Sequence, residues 1–80
     1  MTIETSILKF LKNNILAENV TLDSTTILRD IGVDSYSIVE IVLFIERQYG
    51  FVIPDNQLKP ENFENVKTVS EIVLSHLSNN

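Results

Sequence analysis

The chain has 80 residues, of which 44% are hydrophobic, so it can build one small core but not two. We therefore expect a single domain over residues 1–80. The absence of cysteine and the presence of one histidine, His76, argue against metal sites, thiol chemistry and a Ser/His/Asp triad. The formal net charge of −5 has the wrong sign for binding nucleic-acid phosphates. We expect no metal, no nucleic-acid partner and no catalytic centre.

The N-terminal segment lacks the basic region and long apolar stretch of a signal peptide. The longest apolar run extends only from Ile41 to Ile45, far short of a membrane span. We therefore expect a cytoplasmic protein without membrane insertion, and a monomer.

The first predicted element is an amphipathic helix from Glu4 to Ala17, because apolar residues recur there at three- and four-residue steps. The pattern then breaks from Glu18 to Val33 into polar residues with scattered apolar ones, which predicts a long loop held down by its apolar side chains. This loop is longer than is usual in a compact domain, which indicates either a function or a missed element.

The second predicted helix runs from Ser35 to Tyr49, with Asp34 as its N-cap and Gly50 at its C-terminal end. A helical wheel places one stripe toward the core: Ile38, Ile41, Val42, Ile45 and Tyr49. The opposite side carries Ser37, Glu40, Phe44, Arg47 and Gln48. Between them lies an apolar strip of Tyr36, Val39 and Leu43, which is either a contact surface or packs under the preceding loop.

After Gly50, residues 51–54 are predicted to be an extended connector. Pro60 predicts the first turn of a short helix that carries Phe63 inward. Thr68 and Glu71 form a capping-box pattern before a last helix, near whose end His76 is expected on the surface beside the terminal carbonyls. The predicted fold is an all-α four-helix bundle with a long first loop and a short third helix.

Ser35 follows Asp34 at the start of the most apolar predicted helix. A phosphodiester on such a hydroxyl would lie beside unpaired backbone amides and the positive end of the helix dipole. Asp and Ser also stand at this position simply because they cap helices, a contribution of about 1 kcal/mol. The pair is therefore compatible with an anion-carrying site and with an ordinary cap.

The segment Gly32-Val33-Asp34-Ser35 resembles the Gly-x-Asp-Ser signature of the acyl carrier and peptidyl carrier proteins, the phosphopantetheine-attachment domains. The resemblance covers essentially the whole chain. It extends to apolar residues before the glycine, to an acidic residue after the serine and to a later Ile-Pro pair: Leu28, Ile31, Glu40, Ile53 and Pro54.

The resemblance implies that a phosphopantetheinyl transferase moves 4′-phosphopantetheine from coenzyme A to Ser35. The terminal thiol of that arm then carries cargo as a thioester, which explains how a chain without cysteine handles such chemistry. By the same resemblance, Asp34 caps the helix and shapes the site, and Gly32 allows a tight approach before it. The protein would be a carrier without catalytic residues of its own.

The resemblance also implies a surface for partner enzymes, namely the transferase, an acyl- or aminoacyl-loading ligase, and downstream synthases or tailoring enzymes. Its apolar part would be Tyr36, Val39 and Leu43, with charged groups at Glu40, Glu46 and Arg47. Short cargo would be sheltered between helices near Ile38, Ile41, Val42 and Ile45.

Four residues of the second helix depart from fatty-acid carriers, namely Tyr36, Ser37, Phe44 and Arg47, and the stretch from Pro54 to Val69 is longer. These features resemble freestanding carriers of aminoacyl, pyrrolyl or other short acyl groups, so we expect a specialised carrier, in secondary metabolism. D-alanyl carriage and fatty-acid synthesis stay open as alternatives. So does a different class, an unmodified helical adaptor that binds a protein through its apolar strip. A serine hydrolase would need a base near Ser35.

Overall fold

The computed structural model describes residues 2–17 and 19–78. These residues form three α-helices, α1 (Ile3–Asn14), α2 (Ser35–Tyr49) and α3 (Val66–Ser78). Three short 3₁₀ turns lie between them, at Leu28–Ile31, Asp55–Gln57 and Pro60–Phe63. The described part of the chain contains no strand, so the all-α fold class is confirmed.

The expected short third helix is a four-residue 3₁₀ turn, Pro60–Phe63, so the bundle has three α-helices and not four. Proline suits the first turn because its φ is already helical and its missing N–H is not needed there. Four residues are too few to offset the cost of nucleating an α-helix, and the tighter 3₁₀ form is common in such short pieces. Phe63 nevertheless points inward as predicted, with 7% of its surface exposed.

Helix α1 ends at Asn14, three residues before the expected end at Ala17. The amide of Leu16 donates to the carbonyl of Leu11 at 2.8 Å, a five-residue step that terminates the α-helical pattern. At the other end, the hydroxyl of Thr2 accepts a hydrogen bond from the amide of Thr5 at 3.1 Å. This N-cap satisfies one of the amides that lack partners within the helix.

The predicted long loop is held down as expected and contains the 3₁₀ turn Leu28–Ile31. Leu28 is almost fully buried, and its amide donates to the carbonyl of Glu64 at 2.8 Å. The amide of Lys67 donates to the carbonyl of Ser24 at 2.9 Å. Both backbone hydrogen bonds join the loop to the start of α3 and so fix the segment that leads to Ser35.

The core lies between the three helices, where α1 packs against both α2 and α3. Its centre consists of aliphatic side chains with 0% exposure: Ile7, Leu11, Ile41, Ile45, Val66, Val69 and Val73. Burial of each such side chain contributes about 1.5–3 kcal/mol relative to exposure. The inward stripe predicted for α2 is therefore confirmed at its centre, Ile41 and Ile45.

Helix α3 starts at Val66, and its capping box is formed by Asn65 and Thr68. The Thr68 amide donates to Asn65 Oδ1 at 2.8 Å, and the Asn65 amide donates to Thr68 Oγ1 at 3.3 Å. The expected box, with Thr68 as the cap and Glu71 as its partner, was three residues too late. Asn is as good an N-cap as Ser or Asp, so the chain enters the helix at the first suitable side chain.

His76 stacks on Phe51, with ring centroids 4.0 Å apart and planes inclined by 15°. The imidazole is half-buried, which corrects the expectation of a surface histidine beside the terminal carbonyls. The contact joins the extended segment after α2 to the end of α3, because an aromatic ring offers a flat apolar surface for the imidazole.

Candidate cofactor attachment site

The approach to α2 turns at Gly32, which closes the 3₁₀ turn with φ of +93°. Only glycine adopts this left-handed conformation without strain. A Cβ added at Gly32 would meet no atom within 4 Å, so the glycine is needed for its backbone conformation. The tight approach before the site that the resemblance implies for Gly32 stays a prediction.

Asp34 is the N-cap of α2, as predicted, and its Oδ1 accepts a hydrogen bond from the amide of Ser37 at 2.9 Å. Its backbone is extended, so the helix begins at the next residue. The hydrogen bonds from Ser37, that of the backbone amide above all, hold the pKa of the Asp34 carboxyl below its usual 3.8. The carboxylate is therefore charged at neutral pH and directed toward the helix.

Ser35 is the first residue of α2, and its side chain is exposed. An anion bonded to its hydroxyl would lie at the positive end of a 15-residue helix. His76 is in a stack with Phe51 on another part of the fold, so it does not serve as a base for this serine. The hydroxyl is therefore accessible to other molecules and has no histidine beside it.

A groove of about 430 Å³ opens beside Ser35, between the start of α2 and residues 58–64. Its apolar lining consists of Ile27, Val33, Ile38, Leu58, Pro60 and Phe63. Of the residues expected to shelter cargo, only Ile38 lines it, because Ile41 and Ile45 are inside the core. The opposite wall was not predicted, since no periodicity marks the irregular segment that forms it.

The apolar strip of α2 faces solvent. Tyr36 is 74% exposed, Val39 56% and Leu43 47%, so the strip does not pack under the preceding loop. Large apolar side chains gathered on one helix face are typical of an interaction surface. Arg47, on the same side, is exposed, and Glu40 is half-buried.

The helical wheel predicted that Phe44 lies on the polar side of α2 that faces solvent, and this prediction is wrong. Its ring stacks on Phe10 of α1 with centroids 4.3 Å apart and planes at 18°, and both rings are half-buried. These two rings line a shallow groove of about 350 Å³ with Glu40, Leu43 and Arg47. The expected partner-facing residues thus stand next to an aromatic contact between α1 and α2.

Glu46 has an internal role, because its Oε2 accepts a hydrogen bond from the amide of Ile53 at 3.0 Å. The hydrogen bond spans the turn at Gly50, whose φ of +73° ends α2. No sequence pattern marks this contact. This hydrogen bond gives Glu46 a different role from Glu40, which lies beside Leu43 of the exposed strip.

A three-helix fold with an exposed serine at the start of its second helix is that of a carrier-protein domain. The family model for the phosphopantetheine attachment site matches residues 7–74. Aminoacyl carrier protein 1 of Bradyrhizobium diazoefficiens is 34% identical over 67 residues, which cover 84% of this chain and 72% of that protein. An acyl carrier protein of Clostridium perfringens is 36% identical over 62 residues, which cover 78% of this chain and 74% of that protein.

The fold is also similar to a chain in a crystal structure of the Bradyrhizobium japonicum glycine:carrier protein ligase complexed with its cognate carrier protein and an analogue of glycyl adenylate. The TM-score is 0.73 at 30% identity, over 91% of this chain and 92% of that chain. The chain described above belongs to the phosphopantetheine-attachment family of acyl and aminoacyl carrier proteins.

Membership of this family defines a non-catalytic carrier with covalently attached 4′-phosphopantetheine as its cofactor. The site fits this group, because it combines an exposed hydroxyl, a helix N-terminus and a partly apolar groove. When bound, the arm supplies the thiol that this chain lacks. Within the described residues, no helix is long and apolar enough to cross a membrane.

Proposed function

We propose that Ser35 is the attachment site and that the protein is an aminoacyl carrier. The observation that carries this proposal is the exposed hydroxyl of Ser35 at the N-terminus of α2, directly after the Asp34 cap. In the transfer, Ser35 Oγ forms a bond to the pantetheine-linked phosphorus of coenzyme A. The pyrophosphate bond breaks, 3′,5′-adenosine diphosphate leaves, and the serine proton passes to a base of the transferase.

The aminoacyl cargo is favoured by two relatives. One is the aminoacyl carrier protein of B. diazoefficiens, and the other is the chain from the glycine:carrier protein ligase complex. We propose an aminoacyl-loading ligase as a partner, together with a transferase and downstream synthases or tailoring enzymes. We further propose that the setting is specialised metabolism, that the protein is a cytoplasmic monomer, and that residues 1–80 form one carrier domain. D-alanyl and fatty-acyl cargo are the competing assignments.

The docking surface proposed for these partners is the strip Tyr36, Val39 and Leu43, bordered by Glu40 and Arg47. Its support is the exposure of all three apolar side chains, together with the charged groups of Glu40 and Arg47, which share a groove with Leu43. A partner with an apolar patch flanked by one basic and one acidic group would complement it. Glu46 contributes less to this surface because its carboxylate accepts from Ile53.

The first test is the intact mass of the wild type, Ser35→Ala and Ser37→Ala after incubation with coenzyme A, magnesium and a broad-specificity phosphopantetheinyl transferase. Ser37→Ala is the matched control, because this serine lies in the same first turn. We expect one added phosphopantetheine on the wild type and on Ser37→Ala, and none on Ser35→Ala. Modification of the Ser35→Ala variant would place the arm elsewhere.

The holo protein then serves to identify the cargo. It is incubated with ATP and the B. japonicum glycine:carrier protein ligase and glycine, or with an acyl-carrier synthetase and a fatty acid. A mass gain that hydroxylamine removes identifies a thioester. Glycyl loading alone supports the aminoacyl assignment, whereas fatty-acyl loading alone contradicts it.

The exposed strip also suits an unmodified adaptor, the one alternative of another class. That function requires no arm, so Ser35→Ala would retain partner binding and lose little stability, since the N-cap of α2 is Asp34. A wild-type protein that is folded by circular dichroism but gains no mass would make the adaptor the leading function.

A further inference from the structure

The groove beside Ser35 carries two of the six Lys and Arg residues in this acidic chain. Arg29 lies in the 3₁₀ turn that precedes α2, and Lys59 directly precedes the turn Pro60–Phe63. Both side chains are exposed and line the same groove as the Ser35 hydroxyl, although they are 30 positions apart in the chain. Two cationic side chains from different segments thus line the groove into which a phosphate on Ser35 would project.

Two carboxylates, of Asp34 and Glu64, also line this groove. The Asp34 carboxylate is engaged by the amide of Ser37. Glu64 is exposed, and its backbone carbonyl accepts from the amide of Leu28. A phosphodiester would add a negative charge among these groups, so Arg29 and Lys59 are the side chains that can bind it.

We propose that Arg29 and Lys59 bind the phosphodiester on Ser35 and direct the arm along the apolar wall formed by Leu58, Pro60 and Phe63. This inference rests on the proposed attachment at Ser35. A guanidinium presents paired N–H donors that match phosphate oxygens, and an ammonium adds a point charge. The groove volume of about 430 Å³ is within the range of small-molecule pockets, roughly 300–1,000 Å³.

The apolar wall of the groove favours contact with the arm over contact with a charged cargo. Methyl and methylene groups of the arm would gain from contact with Leu58 and Phe63, since both line the groove. The protonated amino group of an aminoacyl cargo would be disfavoured against Leu58, Pro60 and Phe63, because these side chains offer no acceptor to replace its hydration. We therefore expect the arm to lie in the groove and the amino acid to remain outside it, where partner enzymes reach it.

The test uses the holo protein with ¹⁵N and an arm carrying ¹³C at its geminal methyls, after intact mass has verified complete modification. We expect nuclear Overhauser contacts from these methyls to Leu58 and Phe63, and amide shift changes at residues 58–63. The double variant Arg29→Glu/Lys59→Glu should lose these contacts. The matched control, Lys9→Glu/Lys12→Glu, makes the same charge change on α1 and should retain them.

The outcomes separate this inference from the proposed function. If the wild type gains no mass, the attachment at Ser35 is wrong and the inference fails with it. If the mass rises but arm contacts are confined to residues 34–37, or persist in Arg29→Glu/Lys59→Glu, the attachment stands and the inference is overturned. If Arg29→Glu/Lys59→Glu is not modified by the transferase, the neutral variant Arg29→Gln/Lys59→Gln is used in its place. The same loss of contacts between the arm methyls and Leu58 and Phe63 is expected.

Discussion

Glu46 Oε2 accepts a hydrogen bond from the amide of Ile53 at 3.0 Å, across the turn that ends α2. The Ile53 side chain is buried, so this hydrogen bond fixes where the chain enters the core after Gly50. It also assigns a structural task to a carboxylate that the family resemblance places on the partner surface. Two acidic residues of the same helix, Glu40 and Glu46, should therefore respond differently to substitution.

Glu46→Ala is expected to lower the free energy of unfolding by about 1–2 kcal/mol, because it leaves the partly buried Ile53 amide without its charged acceptor. Glu46→Gln keeps an acceptor oxygen and should lose less. Glu40→Ala is the control and should stay within about 0.5 kcal/mol of the wild type. Urea unfolding monitored by circular dichroism measures all three. Equal effects of Glu46→Ala and Glu40→Ala would contradict the structural role.

Asp34 makes the stability of the fold depend on pH. Its carboxyl has a lower pKa in the folded chain than the usual 3.8, through the hydrogen bonds from Ser37. Its stabilising contribution is therefore complete above the unfolded pKa and is lost as the pH falls through the folded pKa. Asp34→Asn keeps a capping oxygen but does not titrate, so its urea midpoint should fall less than that of the wild type between pH 6 and pH 3.

Asp23 contributes in the same pH window, since hydrogen bonds from Thr25, its hydroxyl first, also lower the pKa of that carboxyl. Asp23→Asn is thus the companion variant. Comparing how the urea midpoint of each variant and of the wild type changes with pH separates the contribution of the Asp23 carboxyl from that of the Asp34 carboxyl. Parallel loss of stability in the wild type and Asp34→Asn would show that the cap does not depend on charge.

Phe10 and Phe44 should be energetically coupled. Their stack joins α1 to α2, and such aromatic pairs contribute about 0.5–1.5 kcal/mol beyond burial of area. A double-mutant cycle of Phe10→Ala, Phe44→Ala and the double variant should yield a coupling energy in that range. The control is a second double-mutant cycle that combines Phe44→Ala with Val39→Ala. A coupling near zero between the two phenylalanines would mean that the rings merely lie side by side.

The sequence predicted α2 more fully than any other element. Asp34 caps it, Ser35 starts it, and Gly50 ends it with a left-handed residue, as the local chemistry requires. Phe44 was assigned to the wrong side because a wheel describes one helix alone. Whether a lateral position faces solvent depends on where α1 packs, which is a tertiary relationship.

The remaining errors have similar physical causes. The four residues Pro60–Phe63 contain an inward-pointing aromatic and a proper N-terminal proline, but sequence pattern does not distinguish a 3₁₀ turn from a short α-helix. The groove beside Ser35 needs a wall from residues 58–64, which have no period to place them. Ser35 itself was predicted because a helix start and a family signature coincide within four residues.

The exposed strip on α2 should matter for partners and not for folding. Leu43→Asn is expected to lower the free energy of unfolding by only about 1 kcal/mol, because the side chain is 47% exposed and asparagine is a poorer helix former than leucine. It should raise the KM of a phosphopantetheinyl transferase for the carrier about three- to tenfold with kcat nearly unchanged, the pattern of lost docking. Leu74→Asn on α3 removes a similarly exposed leucine and should leave KM unchanged. Equal effects of the two variants would contradict α2 as the docking face.

Residues 55–64 should open locally more often than α2 does. Their two short turns are held by few hydrogen bonds, and only Phe63 is buried among them, whereas α2 has Ile41 and Ile45 in the core. Segments with few buried contacts exchange through low-energy local openings. Native-state amide exchange of the apo protein should therefore be faster for the bonded amides of Leu58 and Asn62 than for those of Ile41 and Ile45.

The same segment forms one wall of the groove beside Ser35, so modification should slow its exchange if the arm binds there. Protection of Leu58 and Asn62 should rise several-fold in the holo protein and return to the apo value in Arg29→Glu/Lys59→Glu. The amides of α3 serve as the internal reference, because the groove lining does not include them. Apo exchange at Leu58 as slow as at Ile45 would show that the wall is rigid and the groove preformed.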